Sequence, residues 1–279
     1  MRIEDYPPQE PLSDLGRKYH EECLRRGEGI EPDLEFSYGD DPYQGVSFFK
    51  AAGERPLLFM FVHGGGWTGG YKEWMHFMAP GFTEAGISFA SVGYRLAPEH
   101  CFPEGYVDVR SGLAALYDRV GELGFDPERI FIGGHSAGGH YTALMAVNEN
   151  WQDAHGLPVD VVRGCLPISG VYDFGPNSGL SMRPRFLGPE GDGAVEESAS
   201  PLARIQRTPP FLLAHGSVDF PHLMTQAERM EETLRKHGAP VERIVMEGRD
   251  HFSASYAGGE REGPWVPRAV EWIGRHSKT

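Results

Sequence analysis

Ser136 is the residue in this sequence whose neighbours best suit it to act as a nucleophile. It lies in GHSAG at 134–138, which fits the pattern G-x-S-x-G, and the apolar run Ile130–Ile132 precedes it. Where a strand turns sharply into a helix, only residues with little or no side chain fit two positions before and after the serine, and the turn lifts the hydroxyl out of the sheet. The segment therefore predicts a nucleophile elbow, although the same pattern also arises by chance in glycine-rich turns.

A second glycine-rich segment, HGGGW at 63–67, follows the apolar run Leu57–Val62. Attack of a serine on an acyl group builds negative charge on the substrate oxygen. Backbone N–H groups that approach closely stabilise that charge, each by about 3 kcal/mol, and glycines permit the approach. The amide of Ala137, directly after the serine, would be a further donor. A phosphate-binding loop is excluded because no Lys-Ser or Lys-Thr follows the glycines.

A nucleophilic serine also needs a base and an acid that orients it. Asp219 ends the segment HGSVD at 215–219, just after an apolar run, and His251 lies in GRDHF at 248–252, just after the next one. The chain order Ser, Asp, His is the one that goes with a G-x-S-x-G elbow. Both segments would lie at the sheet edge where α/β proteins place their sites, so we predict His251 as base and Asp219 as acid.

Other residues of the same types are expected to have different roles. Asp250 adjoins His251, and neighbouring side chains rarely meet in a triad. Asp173 is the main rival acid, but it comes one or two strands too early in the chain. Several histidines beside the glycine motifs rank below His251 as the base: His63, His135, His140 and His215.

Apolar runs and helical segments alternate along the chain, as they do in right-handed βαβ units with a mostly parallel sheet. Eight strands are predicted, the first two as a hairpin: Leu34–Tyr38, Val46–Lys50, Leu57–Val62, Ile87–Val92, Arg129–Ile132, Val162–Ile168, Phe211–Ala214 and Val241–Met246. Helices are predicted at 11–26, 107–123, 137–148, 224–237 and 267–276. The segment 174–207 is rich in Gly, Pro and Ser and breaks the alternation, which indicates a loop over a functional site.

Composition limits the classes of protein that fit. The 279 residues suit one domain over 1–279, and 37 glycines indicate many tight turns or close backbone approaches. The net charge of −14 repels phosphate backbones, so nucleic-acid binding is not expected. The N-terminus lacks the apolar core of a signal peptide, and no apolar run reaches about 18 residues, so a cytoplasmic location without membrane attachment is expected.

No cofactor or metal is expected. The three cysteines are widely spaced, and the 12 histidines include no H-E-x-x-H pattern. No G-x-G-x-x-G follows a strand in the context that dinucleotide binding requires. The sequence leaves the oligomeric state open, a homodimer included.

The motifs together resemble a known family. HGGGW, GYRLAPE at 93–99 and GHSAGG at 134–139 are similar to the hormone-sensitive-lipase-like esterases. In its second half, SGVYD at 169–173, SPL at 200–202 and GRDHF resemble the arylformamidase (kynurenine formamidase-like) enzymes. The similarity covers roughly residues 30 to 275. The chain departs from the lipase-like pattern at HGSVD, where those esterases usually show D-P-x-x-D, and at His135, where they commonly have Asp.

The resemblance implies an α/β-hydrolase fold, with an eight-stranded, mostly parallel sheet flanked by helices. By the same resemblance, the oxyanion donors would be the amides of Gly65, Gly66 and Ala137, with Gly64 as a substitute. Residues 1–30 would form a cap or lid segment, together with the 174–207 loop.

The predicted chemistry is hydrolysis of a small acyl derivative, either a carboxylic ester or an aryl formamide, through an acyl-enzyme. Two other classes compete with it. A ligand-binding protein on the same fold would have lost the histidine base, which is present here as His251. A peptidase would need an accessory domain to handle peptides.

Aromatic residues beside these motifs predict the substrate class. Trp67 directly follows the oxyanion glycines, Tyr172 follows a strand end, and Phe252 follows the base. If they converge, they form an apolar, flat-walled pocket that suits an aromatic group and leaves room for a short acyl chain. Three aromatic residues just beyond the glycine loop are interpreted either as pocket wall or as ordinary core residues: Tyr71, Trp74 and Phe77.

Overall fold

The computed structural model describes residues 2–189 and 192–277, and within them eight strands form one sheet. In chain order the strands are β1 (Leu34–Ser37), β2 (Gly45–Phe49), β3 (Leu57–Val62), β4 (Ile87–Val92), β5 (Ile130–His135), β6 (Val162–Ile168), β7 (Phe211–Gly216) and β8 (Val241–Met246). Each predicted strand is confirmed, with bounds that differ by a few residues at the ends. The apolar runs that form β3 to β7 are buried almost throughout, as expected for the inner strands of a parallel sheet, whereas the edge strand β8 is partly exposed.

The spatial order of the strands is β1-β2-β4-β3-β5-β6-β7-β8. β1 and β2 form the predicted antiparallel hairpin, β2 pairs antiparallel with β4, and the other neighbours are parallel. In this register Val62 lies opposite Gly134, and His135 lies opposite Ile168. The carboxyl ends of β3, β5 and β6 therefore meet at one edge, and the loops that leave them are the ones that carry the predicted site.

Helices cover both faces of this sheet. They are α1 (Asp14–Gly27), α2 (Ala79–Thr83), α3 (Glu104–Asp118), α4 (Val120–Leu123), α5 (Ala137–Val147), α6 (Arg183–Leu187), α7 (Gly193–Ala199), α8 (Pro221–Lys236), α9 (His251–Tyr256) and α10 (Val266–His276). The five predicted helices are present, and the one predicted at 107–123 begins earlier and is divided at Arg119. The short helices α2, α6, α7 and α9 were not predicted, because they are too brief to show a periodic pattern.

Alternation along the strands divides the core into two layers. In β3, the side chains of Leu58 and Met60 pack with those of α3, α5 and α8, whereas Phe59 and Phe61 pack with those of α1, α2 and α10. Helix α5 is buried along its whole length. Because α5 begins directly after Ser136, the predicted nucleophile is anchored at the N-terminus of a fully buried helix.

The two predicted cap segments both lie at the carboxyl edge of the sheet. Tyr19 and Cys23 on α1 are buried against the fold. Glu10, in the chain before α1, forms an ion pair with Arg185 on α6, inside the predicted 174–207 loop. Residues 190 and 191 of that loop lie outside the described residues. Across the described ranges, no helix combines the length and apolar character needed to span a membrane.

Candidate active site

The GHSAG segment forms the predicted strand-to-helix turn. Ser136 has φ 53° and ψ −115°, a conformation that non-glycine residues rarely adopt, and it directly precedes α5. A Cβ on Gly134 would lie 2.3 Å from the Gly138 carbonyl carbon, and a Cβ on Gly138 would lie 2.1 Å from the Val62 oxygen. Both glycines are thus required by close backbone approach, which gives the spacing of the motif its physical cause.

The structure brings the three predicted residues Ser136, His251 and Asp219 together. His251 Nε2 lies 3.0 Å from Ser136 Oγ, and His251 Nδ1 lies 2.9 Å from Asp219 Oδ1. Because a carboxylate only accepts, Nδ1 carries the hydrogen and Nε2 has a lone pair for the serine hydroxyl. The arrangement therefore has a base in place to take the proton of Ser136.

The Asp219 carboxylate is buried and fully engaged. Oδ1 accepts hydrogen bonds from His251 and from the Phe220 amide at 2.7 Å, and Oδ2 accepts from the Ser169 hydroxyl. Burial by itself raises the pKa of this carboxyl, but the hydrogen bond from His251 and the others outweigh it, and the pKa is lowered to about 2. Asp219 is therefore ionised at neutral pH and can stabilise a protonated His251.

The HGGGW loop places backbone amides beside the serine. Gly65 has φ 118°, and a Cβ there would lie 1.9 Å from the Gly69 oxygen, so only glycine fits. The loop is closed by amides of Thr68 and Gly69 that donate to the Gly65 carbonyl. Within the described chain, the Gly65 and Gly66 amides donate to no protein acceptor, and both residues line the same cavity as Ser136. They are available as donors to a substrate oxygen.

A cavity of about 480 Å³ opens above Ser136 and His251. Its wall is mainly apolar and includes Leu12, Trp67, Trp74, Val171, Leu180, Met182, Phe220 and Phe252. Of the three predicted pocket residues, Trp67 and Phe252 are in this wall. Trp67 is held there by stacking on Phe186, with ring centroids 4.3 Å apart, and by its indole N–H, which donates to His140.

The prediction that Tyr172 lines the pocket is wrong. Its side chain is fully buried in the core, and its amide donates to Gln226 Oε1 at 2.7 Å. The neighbour Val171 lines the cavity instead. Of the three undecided aromatics, Trp74 lines the cavity, whereas Tyr71 and Phe77 pack elsewhere.

Sequence reasoning missed the residues that follow the acid. The Phe220 ring lies 4.7 Å from the His251 ring, and His222 stacks on Phe220 with centroids 5.8 Å apart. Both line the cavity, and Phe220 remains 43% exposed at its mouth. Phe220 directly follows HGSVD, and His222 lies two residues further on. The signal that could have found Phe220 is its position directly after the predicted acid, since Phe252 directly follows the predicted base and lines the same cavity.

The other histidines and rival acids have structural partners. Burial lowers the pKa of His63 to about 4 and that of His140 to about 3, so both are neutral. His140 Nε2 lies 2.7 Å from the Ala199 carbonyl. Asp250 caps α9 through the Ser253 amide, and Asp173 pairs with Arg229 at 2.7 Å. In the part of the chain that the structure describes, no three His, Cys, Asp or Glu side chains are grouped so as to hold a metal ion.

Comparison with curated proteins finds relatives of moderate identity. The chain is 27% identical over 237 residues to the isoprenylcysteine α-carbonyl methylesterase of Arabidopsis thaliana, which covers 77% of this chain and 55% of that protein. It is 32% identical over 224 residues to esterase LipC of Mycobacterium tuberculosis, which covers 71% of this chain and 54% of that protein. The chain thus spans about half the length of the curated relatives it matches.

Solved structures share the architecture across nearly the whole chain. The esterase of Pyrobaculum calidifontis superposes with a TM-score of 0.77 at 21% identity, covering 98% of this chain and 96% of that one. At this identity the likeness shows the fold alone. A sequence profile of the α/β-hydrolase fold matches residues 59–254, well over half of the chain and inclusive of Ser136, Asp219 and His251. On this match and on the fold just described, the chain belongs to the α/β-hydrolase family.

Proposed function

We propose that this protein is a carboxylic ester hydrolase that works through an acyl-enzyme on Ser136. One observation carries the proposal: the His251 imidazole is within hydrogen-bond distance of both the Ser136 hydroxyl and the Asp219 carboxylate. The named activities of the curated relatives, an esterase and a methylesterase, support the same reaction class.

The geometry supports a two-step reaction. His251 Nε2 takes the Ser136 proton as Oγ attacks the substrate carbonyl carbon, and the oxygen that becomes negative accepts from the amides of Gly65, Gly66 and Ala137. The protonated imidazole, stabilised by Asp219, then gives its proton to the leaving alkoxide and an alcohol departs. A water molecule attacks the acyl-enzyme, its proton passes to Nε2, and the carboxylic acid leaves as Ser136 regains its hydrogen.

The cavity favours a small substrate with an aromatic group. At about 480 Å³ it is in the lower half of the usual range for ligand pockets, and Trp67, Phe220 and Phe252 give it aromatic walls. We propose short acyl groups, formyl through butyryl, on aryl alcohols as the preferred substrates. Aryl formamides would use the same groups, with the amine taking the proton from His251.

A substrate panel tests the class. It comprises p-nitrophenyl esters from acetyl to dodecanoyl, an N-formyl arylamine and S-farnesylcysteine methyl ester, the last because a relative is named as an isoprenylcysteine methylesterase. We expect kcat/KM to be highest for acetyl to butyryl esters and to fall with longer chains. A steady rise to dodecanoyl, or a preference for the farnesylated ester, would show that the cavity accepts a long apolar chain and that the small-substrate proposal is wrong.

Covalent labelling tests the mechanism against a ligand-binding role. A fluorophosphonate should add one adduct to the wild type, located by peptide mass at Ser136, and none to Ser136→Ala. The substitution should cost about 10⁴-fold or more in turnover. A wild type that remains unlabelled would favour a binding protein that does not catalyse.

A further inference from the structure

We infer that His135 and Tyr19 are positioning residues that hold the backbone of His251 in place, so that the N-terminal helix α1 takes part in setting the geometry of the base. The inference rests on the proposed function, because it concerns how well His251 reaches Ser136. It assigns a role to the residue at the first variable position of the GHSAG motif, which the proposed mechanism leaves unused.

His135 is almost completely buried beside the base, in the wall of the same cavity. It is 1% exposed, its ring centroid is 4.7 Å from that of His251, and its Nε2 is 3.0 Å from the His251 carbonyl oxygen. A carbonyl oxygen only accepts, so Nε2 carries the hydrogen and donates. His135 is the chain neighbour of Ser136, and its side chain donates a hydrogen bond to the backbone of His251. His135 therefore connects the predicted nucleophile to the predicted base.

The other ring nitrogen of His135 leads to α1. The Tyr19 hydroxyl lies 3.3 Å from Nδ1, the longest contact of the series, and 2.8 Å from Ser255 Oγ. Since Nε2 holds the hydrogen of the neutral ring, Nδ1 accepts, and the Tyr19 hydroxyl donates to it. Ser255 must then donate to the Tyr19 oxygen, which fixes the direction of each bond in the series.

Burial keeps the side chains of both His135 and Tyr19 neutral. Burial above all, together with the nearby His251, lowers the pKa of His135 to about 3, although the hydrogen bond to the His251 carbonyl and the Asp219 charge act in the opposite direction. Burial also raises the pKa of Tyr19 well above its usual range. The ring is therefore a fixed neutral donor and acceptor, not a second base that competes with His251.

These contacts hold helix α9 at two points. His251 and Ser255 are the first and fifth residues of that helix, and His135 and Tyr19 bind one each. The Tyr19 ring also packs on Phe252, with centroids 5.2 Å apart, and stacks on Tyr256 at 5.6 Å. Displacing a catalytic group by about 1 Å costs about 100-fold in rate, so small movements of α9 matter.

The test uses Tyr19→Phe, which keeps the ring contacts and removes only the hydroxyl. Tyr256→Phe is the matched control, since it removes a hydroxyl from the same stack that has no hydrogen-bond partner among the described residues. Each variant is titrated with a fluorophosphonate, and kcat with p-nitrophenyl acetate is expressed per titrated site. We expect kcat per site to fall about tenfold in Tyr19→Phe with KM within about twofold, and to stay at the wild-type value in the control.

Two variants of His135 separate positioning from packing. His135→Gln keeps an amide that can donate near the Nε2 position, whereas His135→Phe keeps the ring volume without a donor. We expect His135→Gln to retain several times more kcat per site than His135→Phe. A merely structural role would lower the thermal midpoint and the number of titrated sites in these variants but leave kcat per site unchanged, and that result would overturn the inference. An unlabelled wild type would instead overturn the proposed function.

Discussion

The Ser169 hydroxyl donates a hydrogen bond to Asp219 Oδ2, the carboxylate oxygen that His251 leaves free. Ser169 follows β6 with φ 52°, in the left-handed region that non-glycine residues occupy at a cost of about 1–3 kcal/mol. Its amide donates to the Ala214 carbonyl at 2.7 Å, which ties the residue to the end of β7. The strained backbone of Ser169 therefore places its hydroxyl on Asp219 Oδ2, so that Asp219 Oδ1 remains available to His251.

We expect Ser169→Ala to lower kcat/KM about tenfold, because Asp219 would keep only the hydrogen bonds to Oδ1 and would hold His251 less firmly. Tenfold equals about 1.4 kcal/mol, close to the low end of the range for a hydrogen bond to a charged group. Steady-state kinetics with p-nitrophenyl acetate measures the change. Ser178→Ala is the control, since Ser178 is buried and its hydroxyl has no partner among the described residues. Equal activity of the two variants would contradict the role given to Ser169.

Neither Ser169 nor the direction of Tyr172 could be predicted from the sequence. The strands and the three loops with Ser136, Asp219 and His251 were predictable, because buried parallel strands are continuous apolar runs and each loop follows one of them. Which of Val171 and Tyr172 faces the cavity depends on how the chain leaves β6, and no local pattern encodes that. Tyr19 meets residues more than 100 positions away, so its contacts exist only once the sheet and α1 are packed together.

Gly65 and Gly66 should differ sharply in their tolerance of alanine. At Gly65 an added Cβ would meet the Gly69 oxygen at 1.9 Å, whereas at Gly66 the nearest atom is the Met182 methyl at 3.8 Å. Gly65→Ala must therefore move the loop and its amides, and we expect kcat to fall about 100-fold or more. Gly66→Ala, with φ 61° in the region that other residues occasionally adopt, should lose less than about tenfold.

Kinetics on both glycine variants, with circular dichroism and thermal melts to show that they fold, decides the question. A kcat for Gly65→Ala that is no lower than the kcat for Gly66→Ala would contradict the expected difference between the two positions. The wild-type value in both would remove the HGGGW loop from the mechanism.

Phe220 is expected to act on substrate binding more than on chemistry. Its ring packs on His251 at the cavity mouth, and removing such an aromatic contact costs about 0.5–1.5 kcal/mol, or about 2- to 13-fold in binding. In Phe220→Ala the KM for phenyl acetate should rise by that factor, while the KM for ethyl acetate should change less. Val218→Ala is the control, because Val218 is exposed but does not line the cavity. An equal effect on the aryl and alkyl esters would show that Phe220 does not contact the aromatic group.

The lowered pKa of Asp219 predicts how its contribution to stability depends on pH. The folded state holds its carboxyl near a pKa of 2, against 3.8 for an unperturbed carboxyl, so the folded protein binds this proton less readily than the unfolded chain does. Ionisation then stabilises the fold by about 2 kcal/mol above pH 3.8, and this contribution is lost as the pH falls from 3.8 through 2.

Urea unfolding of the wild type and of Asp219→Asn, at several pH values from 7 down to 2.5, measures this contribution of Asp219 to the free energy of unfolding. We expect the advantage of the wild type over Asp219→Asn to shrink across the acid part of this range. A constant gap between the wild type and Asp219→Asn would mean that hydrogen bonds to Asp219 do not favour its charged form.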